Sequence, residues 1–253
     1  MSDERLYHIN LSKKDTAKYA ILPGDPARVE KIASFLDNPK FVASNREYVT
    51  YEGYINNEKV LVVSTGIGGP STAICVEELA QIGVDTFIRV GTCGGMQLSV
   101  NPGDIVIASG AIRMEGTSRE YLPIEFPAVA DFNVTSALVK AAQNLALPHH
   151  IGVVQAKDSF YSQHSPESMG VADELNSKWK AWIKGGCLAS EMESAALYIV
   201  SAVRNLRSGS VFHCVWNQEQ AGCYMPQDKI TDTTLAIKTA VEALRILIDL
   251  DKK

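Results

Sequence analysis

The sequence predicts an α/β protein: a three-layer α/β/α sandwich around one mixed β-sheet, formed by a single domain over residues 1–253. Three observations predict it. Apolar runs of strand length alternate with segments of helical period along the chain. Hydrophobic residues make up 46% and charged residues 21%, which is ample for a core and too apolar for a disordered chain. No internal repeat, low-complexity tract or Pro/Ser-rich linker divides it.

The elements follow in order. Tyr19 to Leu22 reads as a strand that stops at Pro23-Gly24. Asp25 can cap the next helix, with Pro26 at its first position, where a missing N–H costs nothing. Val29, Ile32, Ala33 and Leu36 repeat at helical spacing. Tyr51 to Ile55 and Val60 to Thr65 flank Asn56-Asn57 as a hairpin. After Gly66-Ile67-Gly68-Gly69-Pro70-Ser71 comes a helix from Thr72 to Ile82, ended by Gly83. Thr86 to Val90 is a buried strand running into Gly91-Thr92-Cys93-Gly94-Gly95, and Asp104 to Ser109 is another. Ala137 to Leu145 is helical, with Thr135 or Ser136 as cap, and Ile151 to Ala156 returns as a strand. Ser190-Glu191-Met192-Glu193-Ser194 opens a helix that reaches Val203. A strand from Ser210 to Trp216 and a helix from Asp232 to Leu250 complete the pattern. In such folds ligands gather at the carboxyl ends of strands, where Gly24, Gly66 to Ser71 and Gly91 to Gly95 all fall.

Several function classes are excluded. A net charge of −5 argues against a nucleic-acid partner. Cys75, Cys93, Cys187, Cys214 and Cys223 have no C-x-x-C spacing, so neither a zinc site nor a disulfide framework is expected, and reduced thiols fit a cytoplasmic protein. The N-terminus leads into no apolar run, so no signal peptide is expected. No apolar stretch approaches the ~18 residues of a membrane span.

Three arginines carry the chemistry: Arg28 after Pro23-Gly24-Asp25-Pro26-Ala27, Arg46 in Asn45-Arg46-Glu47-Tyr48, and Arg89 in Phe87-Ile88-Arg89-Val90. A guanidinium matches the oxygens of a phosphate, and glycines let backbone N–H groups approach an anion. Arg28 alone is equally a surface arginine beyond a plain turn. Arg89 differs, because a charge inside an apolar run is expensive unless it serves a carboxylate or a bound anion. Glu191 and Glu193 are either favourable charges at a helix start or acceptors for sugar hydroxyls. Phe160-Tyr161 is either core or an aromatic platform. The polar segment from Ser162 to Gly186 has the composition of a lid.

Taken together, GDPAR (24–28), SNREY (44–48), STGIGGPST (64–72), RVGTCGG (89–95), EFPAVADF (125–132) and SEMESA (190–195) resemble the nucleoside phosphorylase family, in order over almost the whole chain. The hexameric branch, and within it the bacterial uridine phosphorylases, is the most similar, through STGIGGPS, EFPAVADF and Phe160-Tyr161-x-Gln163. The resemblance implies phosphorolysis, in which inorganic phosphate as co-substrate attacks the anomeric carbon of uridine and releases uracil and ribose 1-phosphate. Gly24, Arg28, Arg89 and Thr92 would hold phosphate, with Arg46 supplied by a neighbouring subunit. Met192 and Glu193 would bind ribose, and His8 of the neighbour the 5′-hydroxyl. Phe160 would pack on the nucleoside and Gln163 would read the base. Glu47, Ile67 and Ser71 match positions that hold a monovalent cation, K+, between subunits. No other cofactor is implied, and the assembly implied is a hexamer built from dimers, with shared active sites.

One departure bears on the base. The resembled enzymes follow the base-reading Gln with an Arg and support it with a second Arg after a later strand. Here Ser168 and Gln220 stand in the expected places. Loss of a charge-assisted contact costs about 1.5–3 kcal/mol. Lys157, Lys178, Lys180 and His164 are the cations that can take its place. Altered base preference, purine or broad, is the second reading; against it, Trp216-Asn217-Gln218 lacks the Asp that purine enzymes use to protonate the base. A nucleosidase that uses water is the third, and water needs no arginine cradle.

Overall fold

The computed structural model describes residues 4–228 and 230–252. Strand β1 (Tyr19–Pro23) is buried along its whole length. It turns through Gly24 into α1 (Ala27–Ala33); Pro26 and not Asp25 stands at the N-cap, although Asp25 Oδ1 accepts from the Ala27 N–H at 2.9 Å. β2 (Asp37–Asn45) was not predicted: it carries Pro39, is largely exposed, and pairs only with β3. It is an edge strand, the one place in a sheet where proline is tolerated. β3 (Tyr48–Ile55) and β4 (Glu58–Val63) form the expected hairpin, with Asn56 at φ +50° and Asn57 at φ +63°, the left-handed pair that a tight turn needs. α2 (Gly69–Gln81) starts three residues before its predicted start, and Gly83 follows its end at φ +104°.

β5 (Thr86–Gly95) and β6 (Ile105–Met114) run on past their predicted ends. After α3 (Thr117–Tyr121) and β7 (Ala128–Val129), α4 (Phe132–Asn144) is capped by Asp131, whose Oδ1 accepts from the Val134 N–H, and not by Thr135 or Ser136. β8 (His149–Lys157), α5 (Tyr161–His164), α6 (Ala172–Lys184) and β9 (Ala189–Glu191) follow. The helix does not start at Ser190: Ser190 and Glu191 finish β9, Glu193 stands at the N-cap, and α7 (Ser194–Arg204) begins at Ser194. Glu191 Oε1 and Oε2 accept from the Ser194 and Glu193 N–H groups, so a strand residue caps the helix from outside. β10 (Arg207–Asn217), α8 (Gln218–Gly222) and α9 (Thr234–Asp251) complete the chain.

The ten strands form one mixed sheet. β5 is its axis. β1 pairs with one edge of β5 over Thr86 to Val90, in parallel. β10 pairs with the other edge from Thr86 to Gly95. Beyond Val90 the first edge loses β1, and β9 takes it over, antiparallel, at Gly94 and Gly95. β9 then pairs with β8, β8 with β6, and β6 with β10, which closes a ring. β1, β4, β3 and β2 fan out as an open wing. β5 and β6 run long because the ring gives their second halves partners; sequence reading has no access to such partners.

Helices cover both faces, as predicted. Val134 and Leu138 of α4 and Leu244 and Ile248 of α9 pack on one core, with Ile21 and Ile88. Val76 and Leu79 of α2 and Leu197 of α7 pack on the other, with Leu22 and Phe212. Among the described residues, no helix is long and apolar enough to cross a membrane.

Leu244 is fully buried. Leu244→Ala is expected to cost about 2–5 kcal/mol and to lower the thermal unfolding midpoint. Leu250→Ala, on the exposed end of the same helix, is expected to stay within about 0.5 kcal/mol. Equal losses from the two would mean that α9 does not form the core as described.

Candidate active site where the sheet divides

Between the end of β1 and the start of β9, one edge of β5 has no strand beside it. A cavity of about 800 Å³ opens there. Gly24, Arg28, Arg89, Thr92, Phe160, Gln163, Met192 and Glu193 line it, as do Glu47, Ile67 and Ser71. Eleven positions singled out from the sequence thus meet in one concavity. His8 and Arg46 do not line it.

Arg89 organises one end. It is 5% exposed, and the Phe212 ring lies 5.8 Å from its guanidinium carbon. Its Nη2 donates to Glu193 Oε2, and its Nε lies 3.4 Å from Glu191 Oε2. Its Nη1 is buried without a protein partner among the described residues. A buried guanidinium left with a free donor is costly unless a ligand completes it. Gly24 faces the guanidinium: a Cβ there would lie 3.8 Å from Nη1 and 3.2 Å from the Gly66 carbonyl. Glycine leaves that space open for an anion. Arg28 approaches the same region; burial pushes its guanidinium down, Asp25 opposes this, and the positive charge of Arg89 adds to it. A guanidinium lowered by burial and by a second guanidinium marks a place that an anion stabilises.

Glu193 sits between Arg89 and a helix N-terminus. Its Oε1 accepts the Gly68 N–H at 2.7 Å. A carboxylate offers about four acceptor sites, so sugar hydroxyls still find acceptors beside Met192. Glu191 is pushed up by burial and by Glu193, with Arg89 pulling it back. The two carboxylates thus differ in place: Glu191 caps the helix, and Glu193 lines the cavity between Arg89 and Gly68.

The other end is aromatic and polar. Phe160 is half exposed at the mouth, its ring 4.3 Å from that of His164, which lies 5.6 Å from the ring of Trp216. Lys157, at the end of β8, is 3% exposed and lines the same wall. Burial pulls its ammonium down to about 8, while Glu191 and Glu193 oppose the shift. Its Nζ donates to Ser190 Oγ at 2.5 Å. Burial and the charge of Lys157 both lower His164.

The positions flagged for the absent arginines lie elsewhere. Gln220 is buried and donates to the Leu98 carbonyl and Asn101 Oδ1, and Ser168 is exposed beyond α5. Neither lines the cavity. Gln218 is the residue that reaches Gln163, its Oε1 accepting from Gln163 Nε2 at 2.9 Å. Of the four candidate cations, Lys157 and His164 face the cavity, whereas Lys178 is exposed and pairs with Glu174 and Lys180 is exposed. Asn217 is fully buried, holding the Gln97 and Val100 carbonyls and the Gln220 N–H. It is structural. Ser190 and Trp216 were missed as wall residues, since nothing in their local sequence marks them.

His8 and Arg46 share one outer surface. His8 Nδ1 lies 2.6 Å from Glu78 Oε1. Asn45 Nδ2 donates to the Tyr7 and His8 carbonyls. Arg46, at φ +53°, lies over the Tyr7 ring. Glu47 accepts from Ser71 Oγ at 2.9 Å, and Ile67 is 77% exposed.

This fold, with Arg28, Arg89 and Glu193 lining one cavity, defines a class. Residues 18–249 match the model of the phosphorylase superfamily, and the chain belongs to that family. It is 55% identical to a uridine phosphorylase of Treponema pallidum over 97% of this chain and 95% of that protein. It is 41% identical to the uridine phosphorylase of Escherichia coli over 98% and 100%. A guanosine phosphorylase of Halorubrum lacusprofundi is 39% identical over 81% and 80%.

Arg89→Ala is expected to weaken phosphate binding and to lower turnover by about 2–4 kcal/mol of transition-state stabilisation. Arg89→Lys restores charge without the two-pronged geometry and is expected to recover only part. Unchanged phosphate dependence in both variants would remove Arg89 from the site.

Proposed function

We propose that the protein catalyses phosphorolysis of uridine to uracil and ribose 1-phosphate. The free Arg89 Nη1, buried beside Gly24 and Arg28, carries the reading. A nucleosidase activates water and has no use for a second guanidinium at that end. The resemblance of the whole chain to uridine phosphorylases supports uridine as substrate. Asn217, buried and fully engaged, leaves no acid at the position where purine cleavage needs one.

Phosphate sits against Arg28, Arg89, Thr92 and the backbone at Gly24. Held below the sugar, it stabilises the positive charge that grows on the ring as the glycosidic bond lengthens, then bonds to the anomeric carbon. Glu193 holds the ribose hydroxyls and Met192 packs the ring. Phe160 covers the nucleoside, and Gln163 reads the base. The bonding electrons leave with uracil as negative charge. Lys157 is the cation on that wall, so it takes the part of the absent arginine; His164 adds a neutral donor.

His8 and Arg46 reach the site of a neighbouring copy. Arg46 is held at φ +53°, a conformation that costs a non-glycine residue about 1 kcal/mol, and that turn sends its side chain outward. The proposed assembly is a hexamer built from three dimers, readable as the mass of the particle in solution. Glu47, Ser71 and the Ile67 segment supply oxygen donors for K+ at the dimer boundary, and replacing K+ with a bulky organic cation is expected to lower the thermal midpoint.

Base release from uridine is expected to require inorganic phosphate, with ribose 1-phosphate formed in equal amount. Equal release in phosphate-free buffer would favour a nucleosidase. Uridine kcat/KM is expected to fall as pH rises through about 8, since Lys157 is charged below that point and neutral above it. Lys157→Gln, which removes a charge-assisted contact, is expected to lose about 10–100-fold in rate together with that limb of the profile. A limb that survives the substitution belongs to another group.

A further inference from the structure

We propose that Ser190 is a specificity-determining positioning residue: held by Lys157, its hydroxyl fixes which way round the Gln163 amide stands, so that the cavity takes uracil and rejects cytosine. The inference rests on the pyrimidine reading above and deepens it.

Ser190 is 4% exposed on β9, and Gln163 is 8% exposed on α5. Three side chains converge on Ser190 Oγ: Lys157 Nζ at 2.5 Å, Gln155 Oε1 at 2.6 Å and Gln163 Oε1 at 2.7 Å. An ammonium donates and never accepts. Lys157 therefore occupies a lone pair of Ser190 and leaves the hydroxyl proton to be donated onward. One proton cannot serve two amide oxygens, so either Gln155 or Gln163 turns its N–H2 toward Ser190.

Gln155 turns more easily. Its Nε2 meets only the thioether Sδ of Met114, a weak acceptor. Gln163 Nε2 already donates to Gln218 Oε1. Reversing Gln163 would require Gln218 to turn with it. The result is a directed chain: Lys157 donates to Ser190, Ser190 to Gln163 Oε1, and Gln163 Nε2 to Gln218. Each end of the Gln163 amide keeps one capacity for the base, a lone pair on oxygen and a second N–H on nitrogen.

That pattern discriminates. Uracil offers an N3–H donor beside carbonyl acceptors, which matches an amide fixed this way. Cytosine offers a bare N3 acceptor beside an amino donor and meets oxygen against lone pair and N–H against N–H. A free amide would simply turn over and bind either base. Discrimination therefore needs the amide to be held, and its holder is a small hydroxyl backed by a buried cation.

The test compares uridine and cytidine phosphorolysis, and the binding of uracil and cytosine by calorimetry with phosphate present. In Ser190→Ala, KM for uridine is expected to rise with a smaller change in kcat, KM for phosphate to hold, and the uridine-to-cytidine preference to shrink at least about tenfold. Ser190→Thr keeps the hydroxyl and is expected to keep the preference. Gln155→Leu is expected to leave it unchanged, and this arm stands even where Ser190→Ala fails to fold. An unchanged preference in Ser190→Ala, or a collapse in Gln155→Leu, overturns the proposal. Absence of uridine turnover in the unaltered protein would instead overturn the pyrimidine reading, while the two base affinities would still report on the amide.

Discussion

Arg89 is the residue on which the rest of the structure turns. It stands on the axial strand of the sheet, at the height where β1 ends and before β9 begins. A guanidinium there cannot be left to solvent and is too costly to leave bare. Glu191 and Glu193 answer it from β9 and from the start of α7. Those contacts tie β5 to the N-terminus of α7, and Glu193 extends the tie to α2 through the Gly68 N–H. Two helices and two strands are thereby registered around one charge. Among the described residues its Nη2 is hydrogen-bonded to Glu193 and its Nε lies 3.4 Å from Glu191 Oε2, while Nη1 has no protein partner. The same group thus supports the fold and lines the cavity.

The cavity has a division of labour that follows from where its charges sit. At one end, guanidinium groups and a glycine-lined backbone suit a compact, doubly charged oxyanion. At the other, aromatic rings, a buried ammonium and amides suit a flat heterocycle that departs with negative charge. Glu193 and Met192 line the same cavity, and in the proposed reaction the sugar bridges the two ends there. A glycosidic bond placed across that span is pulled from both sides, with an anion below the growing positive charge and donors around the leaving group. Neither end needs a covalent nucleophile.

Much of this was legible in the chain. Arg89 betrayed itself as a charge inside Phe87-Ile88-Arg89-Val90, and Gly24, Gly66 and Thr92 lay at strand ends where ligands collect. Asn56-Asn57 marked a hairpin because both residues tolerate left-handed backbone. Other features were not legible. β2 carries proline and little apolar alternation, so only its edge position makes it a strand. Ser190 read as the start of a helix because its neighbours favour helix, but pairing with β5 and β8 holds it extended. Gln220 was expected at the base, yet α8 turns it inward to the carbonyl of Leu98 and puts Gln218 on Gln163 instead.

The linear order of residues by itself determined the α/β class, the two apolar faces and the unusual place of Arg89, because periodicity and a charge inside an apolar run are local facts. Only the tertiary structure decided that the sheet closes into a ring on one side and splits along β5. It also decided that Lys157, rather than Lys178 or Lys180, stands at the base wall. Those outcomes depend on which strands share an edge and which way a side chain faces once they do. Such pairings join residues far apart in the chain, and the energy that selects them is the shared burial of the assembled core, which no single segment encodes.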